Sequence, residues 1–174
     1  MIAAVVLAAG AATRFGSAKQ ALLLDDVLDR VRAAGIDAIV VVEGAHPLER
    51  RPGVRHVPCA EWERGPGASL RCGLGVLGPE VEAAVVVLAD GPDLSPAAVR
   101  RVIGSWVDDA GDVVAASYGG RRGHPLLVAR PAWGDIPDEG LRVREPRLVA
   151  CDDLGAPGDV DVPTDLPGRF RAEG

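Results

Sequence analysis

The chain has 174 residues, 48% of them hydrophobic and only 3% aromatic, with 22 glycines and 14 prolines. This length suits one domain with its own core, built on alanine, valine and leucine. The net charge of −6 argues against a nucleic-acid surface, and no apolar run is long enough to read as transmembrane.

Ile2 to Ala8 is a continuous apolar run stopped by Gly10, as expected of a strand buried on both faces rather than a leader, since no basic segment precedes it. Asp26 to Ala34 places Val27, Leu28, Val31 and Ala34 on one helical face, and Gly35 ends it. Ile36 to Val42 reads as a second buried strand and Val54 to Pro58 as a short strand near an edge. Ala68 to Leu77 follows a glycine-proline loop as a helix, with Ser69 a candidate N-cap as well as a candidate ligand contact. Ala83 to Ala89 is a strong strand ending at Asp90. Ser95-Pro96 then supplies an N-cap and a first-turn proline for a helix that turns Val99, Val102, Ile103 and Trp106 inward. Val113 to Tyr118 and Pro125 to Ala129 flank the Gly119 to His124 turn as a hairpin-like excursion. Leu148 to Cys151 is a short strand, Gly158 to Pro167 an irregular acidic end, and residues 169–174 are expected to fray.

Alternating strands and helices imply a parallel α/β sheet covered on both faces. The expected organisation is a single domain over residues 1–168. Cys59, Cys72 and Cys151 are too scattered for a zinc motif. Sparse and odd in number, they suggest reduced thiols in a cytoplasmic protein, with Cys59 and Cys72 structural.

The segment Leu7-Ala8-Ala9-Gly10-Ala11-Ala12-Thr13-Arg14-Phe15-Gly16-Ser17-Ala18-Lys19 ends on the only lysine among 19 basic residues. Arginine is a planar fork and lysine a compact point charge, so a lysine kept here suggests a phosphate. In open α/β sheets ligands bind beyond the carboxyl ends of strands, where this turn falls. It is not a P-loop, because five residues separate Gly10 from Gly16 and Lys19 stands three further on. Nor is it a dinucleotide fingerprint, because Ala12 replaces the second glycine.

The pattern Leu-Ala-Ala-Gly-x-x-x-Arg-Phe-Gly-x-x-Lys resembles the signature of the MobA-like NTP transferase family. Further matches follow in order: Ser69-Leu70 with Gly73, Leu88-Ala89-Asp90-Gly91-Pro92, Gly123-His124-Pro125, and Asp159 to Asp165. The Ala9 form and the Gly-His-Pro element are most similar to the molybdenum cofactor cytidylyltransferases (MocA-like). The chain departs from the family's pattern in a shorter segment after Lys19, in Gly91 and Val162, and in a shorter stretch between Trp133 and Asp152.

The resemblance implies a Rossmann-like three-layer α/β/α nucleotidyltransferase fold, mainly parallel with a small antiparallel excursion. It also implies CMP transfer from CTP, or another NTP, to the terminal phosphate of molybdopterin or another phosphate-bearing acceptor. Arg14, Lys19 and Asp90 would be catalytic. Leu7, Ala8, Ala9, Gly10, Ser69, Gly73 and His124 would contact the ligands, and Asp90 with Asp161 would hold Mg²⁺, which favours one or two carboxylates plus phosphate oxygens. Arg121 and Arg122 are candidates for an anionic acceptor. A molybdoenzyme is a further expected partner; nucleic acid and membrane are not. Transfer to a sugar or alditol phosphate, and a non-catalytic nucleotide- or pterin-binding maturation protein, remain open alternatives.

Overall fold

The computed structural model describes residues 1–10, 19–158 and 167–168, for residues 19–22 the backbone alone. Seven strands form one sheet in the order β3-β2-β1-β4-β6-β5-β7. β1 (Ile2–Ala8), β2 (Ile39–Glu43) and β3 (Val54–Pro58) run parallel on one side. β4 (Ala83–Leu88) pairs parallel with the other edge of β1. β6 (Arg121–Ala129) runs antiparallel to both β4 and β5 (Val113–Tyr118), and β7 (Arg147–Ala150) is parallel to β5. The sheet is thus mainly parallel with one reversed strand, the α/β fold expected from the sequence.

Period-two alternation sends the side chains of β1 into two cores. Ala4, Val6 and Ala8 pack with Leu24, Val27, Leu28 and Val31 of α1 (Lys19–Ala33) and with Val99 and Val102 of α3 (Pro96–Asp108). Val5 packs on the opposite face with Leu70 and Leu74 of α2 (Pro66–Leu74) and with Ile136 and Leu141. Ser95 caps α3, its hydroxyl accepting the Ala98 N–H at 3.4 Å, with Pro96 in the first turn. Gly119 and Gly120 both have positive φ, +59° and +74°, as the two central residues of a primed hairpin turn require, so β6 begins at Arg121.

Several boundaries differ from the sequence expectation. α1 starts at Lys19, a full turn and more before Asp26, because Leu23 and Leu24 are themselves buried. β2 runs on to Glu43, whose carboxylate is satisfied inside the protein. α2 begins at Pro66 with Gly65 as its N-cap, so Ser69 lies inside the helix and does not cap it. Proline at the first position, whose missing N–H costs nothing there, moves the start forward.

The expectation of three reduced thiols is corrected at two of them: Cys59 and Cys72 form a disulfide, and only Cys151 is free, buried under β7. They are 13 residues apart in sequence, but β3 and α2 are spatial neighbours, with a Cα–Cα separation of 5.8 Å. The bridge ties the end of β3 to α2. Closing a loop of this size restricts the unfolded chain and is worth about 3 kcal/mol. Replacing Cys72 by Ser should therefore lower the unfolding free energy by roughly that amount in urea titrations under oxidising conditions, and by much less in the presence of reductant.

Candidate active site

The strand order reverses at β1. From there the chain winds one way to β2 and β3, then returns to place β4 on the opposite edge. The carboxyl ends of β1 and β4 therefore lie side by side, with Leu7 level with Leu88, at the point where open sheets bind ligands. β1 leads into the turn Ala8-Ala9-Gly10, with Ala8 and Ala9 buried and Gly10 exposed. β4 leads into Ala89 and half-buried Asp90. Each crossover helix starts at this edge, so the amino ends of α1, α2 and α3 all present the positive ends of their dipoles here.

β6 enters from the opposite direction and so begins where β4 ends. Val86 pairs with Leu126 in the antiparallel register, and His124 just before it lines the same cavity as Leu88 and feels the charge of Asp90. The imidazole is packed beneath the edge. Burial, with the nearby Arg122 charge, pushes its pKa down to about 4 against the opposing pull of Asp90, so the ring is neutral at pH 7. Tyr118 fixes the His124 backbone, its hydroxyl donating to the carbonyl at 3.0 Å, and burial pushes that phenol up to about 12.

A cavity of about 450 Å³ opens on the α2 side of this edge. Leu7, Pro66, Leu70, Leu88 and Leu126 make its apolar floor, and Arg122, His124 and the turn from Glu139 to Arg142 make its walls. That turn is clasped to the start of α2. Arg71 donates to the Ile136 carbonyl at 2.6 Å and to Asp138 Oδ1 at 2.5 Å, Arg64 donates to Asp138 Oδ2 at 3.1 Å, and the Gly67 N–H donates to the Asp138 carbonyl at 2.9 Å. Hydrogen bonds from Arg71 and Arg64 hold the Asp138 carboxyl below the usual carboxylate range. A methyl group on Gly67 would collide with the Pro137 carbonyl, and one on Gly44, after β2, with the backbone of Ala9. Both glycines are there for close approach.

Leu7, Ala8, Ala9, Gly10, Asp90 and His124 thus share one end of the sheet. Lys19 opens α1 at the same edge. Arg14 and Asp161 lie outside the described residues, as does the 169–174 tail. Gly158, the last described residue before Asp161, packs against Asp93, and Pro157 packs against Gly91, so the chain approaching Asp161 runs along the Asp90 turn. At Gly73 a Cβ would lie 2.6 Å from Val5 and 2.8 Å from Val42, so glycine lets α2 sit close on the sheet. Ser69 is buried in α2 and does not line the cavity.

Sequence reading missed the pair behind the glycine turn. Glu43, level with Ala8, is buried, and the Nδ1 of His56 lies 2.7 Å from its Oε1. The Arg51 N–H donates to the other ring nitrogen at 3.2 Å, which places the ring proton on Nδ1. An acidic residue ending an apolar strand was the available signal.

Among the described residues no three His, Cys, Asp or Glu side chains gather as a metal cluster. A hard cation bound by one or two carboxylates and the phosphates of a nucleotide needs no such cluster, so a carboxylate at the Asp90 position fits Mg²⁺ or Mn²⁺.

A parallel sheet that changes winding at β1, with a glycine turn, a carboxylate and an apolar cavity at that point, defines a nucleotide-handling α/β enzyme. A profile of the MobA-like NTP transferase domain matches residues 4–147, and the chain belongs to that family. It is a nucleotidyltransferase. Rv0371c from Mycobacterium tuberculosis H37Rv is 31% identical, with a TM-score of 0.78 and 94% of each chain covered; the same protein has also been solved with manganese. A nucleotidyl transferase from Methanothermobacter thermautotrophicus is 22% identical (TM-score 0.73, 95% of this chain and 94% of that one). A CMP-2-keto-3-deoxy-manno-octonic acid synthetase solved with CTP is 13% identical (TM-score 0.68, 94% of each chain covered). These last two share the fold. No curated protein sequence matches the chain significantly.

The depressed imidazole gives a measurable consequence. His124 should titrate near pH 4 by NMR, not near 6.5. Between those values the unfolded chain takes up a proton that the folded chain refuses, so stability should fall as pH drops through that window. His124→Gln should remove this part of the pH dependence.

Proposed function

We propose that the chain transfers CMP from CTP to the terminal phosphate of molybdopterin, releasing pyrophosphate, in the cytoplasm where nucleotide and pterin are supplied. The observation that carries the reading is the meeting of the Ala8-Ala9-Gly10 turn, Asp90 and His124 at the mouth of an apolar cavity. The choice of cytidine rests on the resemblance of Ala9 and Gly123-His124-Pro125 to the cytidylyltransferase branch. The fold's occurrence with CTP in a sugar-acid synthetase supports a pyrimidine nucleotide at this edge.

Gly10 and the amino end of α1 receive the triphosphate, where backbone N–H groups and the helix dipole favour anions. Arg14 and Lys19 neutralise its charge. Asp90, joined by Asp161, would hold Mg²⁺, which when bound offsets charge on the α-phosphate; manganese on the mycobacterial protein supports a divalent cation. Chain from Gly158 to Asp161 can extend at most about 10 Å, and it starts beside the Asp90 turn.

An acceptor phosphate oxygen forms the new bond to the α-phosphorus while the bond to the bridging oxygen of pyrophosphate breaks. A phosphate monoester has its second pKa near 6, so at neutral pH it is already a nucleophile and needs no general base. A neutral His124 suits this: it orients, and positioning with charge neutralisation supplies the rate. The floor of Leu7, Leu70 and Leu88 favours a planar heteroaromatic acceptor over a polyhydroxylated sugar, whose hydroxyls it would leave unpaired. A molybdoenzyme receiving the product completes the proposed set of partners.

Purified protein with Mg²⁺ and molybdopterin should release pyrophosphate from CTP in preference to GTP. Asp90→Ala should lower kcat/KM by about 100-fold or more. Lys19→Arg should also impair turnover, because the fork does not reproduce the ammonium's point charge. Release with an alditol phosphate only would replace the acceptor. Nucleotide binding without release, indifferent to Asp90→Ala, would mark a non-catalytic maturation protein.

A further inference from the structure

The cavity carries positive charge that no described residue neutralises. Arg122, on β6, is half-buried and commits one nitrogen, Nη1, to the carbonyls of Leu141 at 2.8 Å and Arg144 at 3.1 Å. Arg122 lines the cavity, and among the described residues its other donors hold no hydrogen bond. Arg142 reaches the same cavity from the turn at Gly140–Val143. Among the described residues neither arginine has a carboxylate within ion-pair distance. Glu139 also lines the cavity without bridging to either one, and the neighbouring Asp138 is taken by Arg64 and Arg71. Burial, and after it the like charge of exposed Arg142, pushes the pKa of half-buried Arg122 down. A ligand that brings the countercharge relieves both effects. Arg122 and His124 both line this cavity, two residues apart at the start of β6. An anion held there lies beside the Asp90 edge.

We propose that Arg122 and Arg142 form the phosphate clamp of the acceptor, choosing phosphate monoesters with an apolar planar body and setting the phosphate toward the nucleotide. Guanidinium forks match phosphate oxygens in pairs, which gives geometry as well as charge. This deepens the nucleotidyl-transfer reading and rests on it for the identity of the acceptor, but the clamp can be tested apart from turnover. Arg142 is the residue to vary, because it is exposed and holds no protein partner among the described residues.

Phenyl phosphate, a planar phosphate monoester, should bind the wild-type protein in calorimetric titrations, and about 10-fold more weakly to Arg142→Gln. Phenol should bind both proteins alike, and CTP affinity should stay within twofold. Phenyl phosphate binding equally to both proteins, or not at all to the wild type, overturns the clamp. In turnover with molybdopterin, Arg142→Gln should raise the acceptor KM about 10-fold and leave kcat within twofold. An unchanged acceptor KM with normal turnover defeats the clamp and spares the transfer reading. A wild-type protein that turns over no acceptor, yet loses phenyl phosphate on Arg142→Gln, defeats the transfer reading and spares the clamp.

Discussion

The parallel pairing of β1 on both of its edges is the constraint from which the site follows. A strand flanked by β2 on one side and β4 on the other must be reached by crossovers that wind in opposite directions. Their loops part above β1, and the crevice between them is where Gly10 and Asp90 come together. The pairing requires small or β-branched residues on both faces, and the stretch from Ala3 to Val6 is fully buried. Reversal of β6 adds the other half. Only an antiparallel strand beside β4 can begin at the carboxyl edge, so Arg122 and His124 reach the site from the start of a strand.

Arginine holds the loops at both ends of the sheet. Arg71 donates to the Ile136 carbonyl, Arg122 to Leu141 and Arg144, Arg130 to Val81 and Gly78, Arg101 to Ala150, Arg100 to Ala33 and Arg30 to Leu94. One planar fork can serve two carbonyls or a carbonyl and a carboxylate, a task for which a single ammonium is poorly shaped. Each such bond is worth about 1 kcal/mol net. The chain's exclusive use of arginine outside Lys19 therefore has a structural reason: irregular segments with little core of their own are fastened by forked donors.

The strands of the centre and the start of α3 were legible because each has a local signature. β1 and β4 are unbroken apolar runs ended by Gly10 and Asp90, and Ser95-Pro96 announces a cap. The turn at Ala8-Ala9-Gly10 was legible for the same reason, since its residues are contiguous. What escaped depends on distant contacts. Nothing near Cys59 announces Cys72, and nothing near Gly73 tells that Val5 and Val42 lie beneath it. Glu43 and His56 are joined only because β2 and β3 pair in register. The early start of α1 escaped because the helical face was read only from Asp26 on, whereas Leu23 and Leu24 before it are also buried.

An acidic nucleotidyltransferase must limit negative charge where a triphosphate approaches, and several carboxylates are engaged by protein donors. Glu43, directly behind the glycine turn, is enclosed with His56, and Arg50 approaches it at 3.4 Å. Asp138, on the cavity rim, is shared between Arg64 and Arg71. Asp152 accepts the Gly119 N–H, and Asp153 pairs with Arg101 at 2.6 Å. Buried Glu43 is where such pairing matters most, because low dielectric lengthens the reach of an unpaired charge. The same economy explains the neutral His124. A second cation buried beside Arg122 would be unstable, whereas a neutral ring can pack under the edge and leave the field there to the arginines and to Asp90.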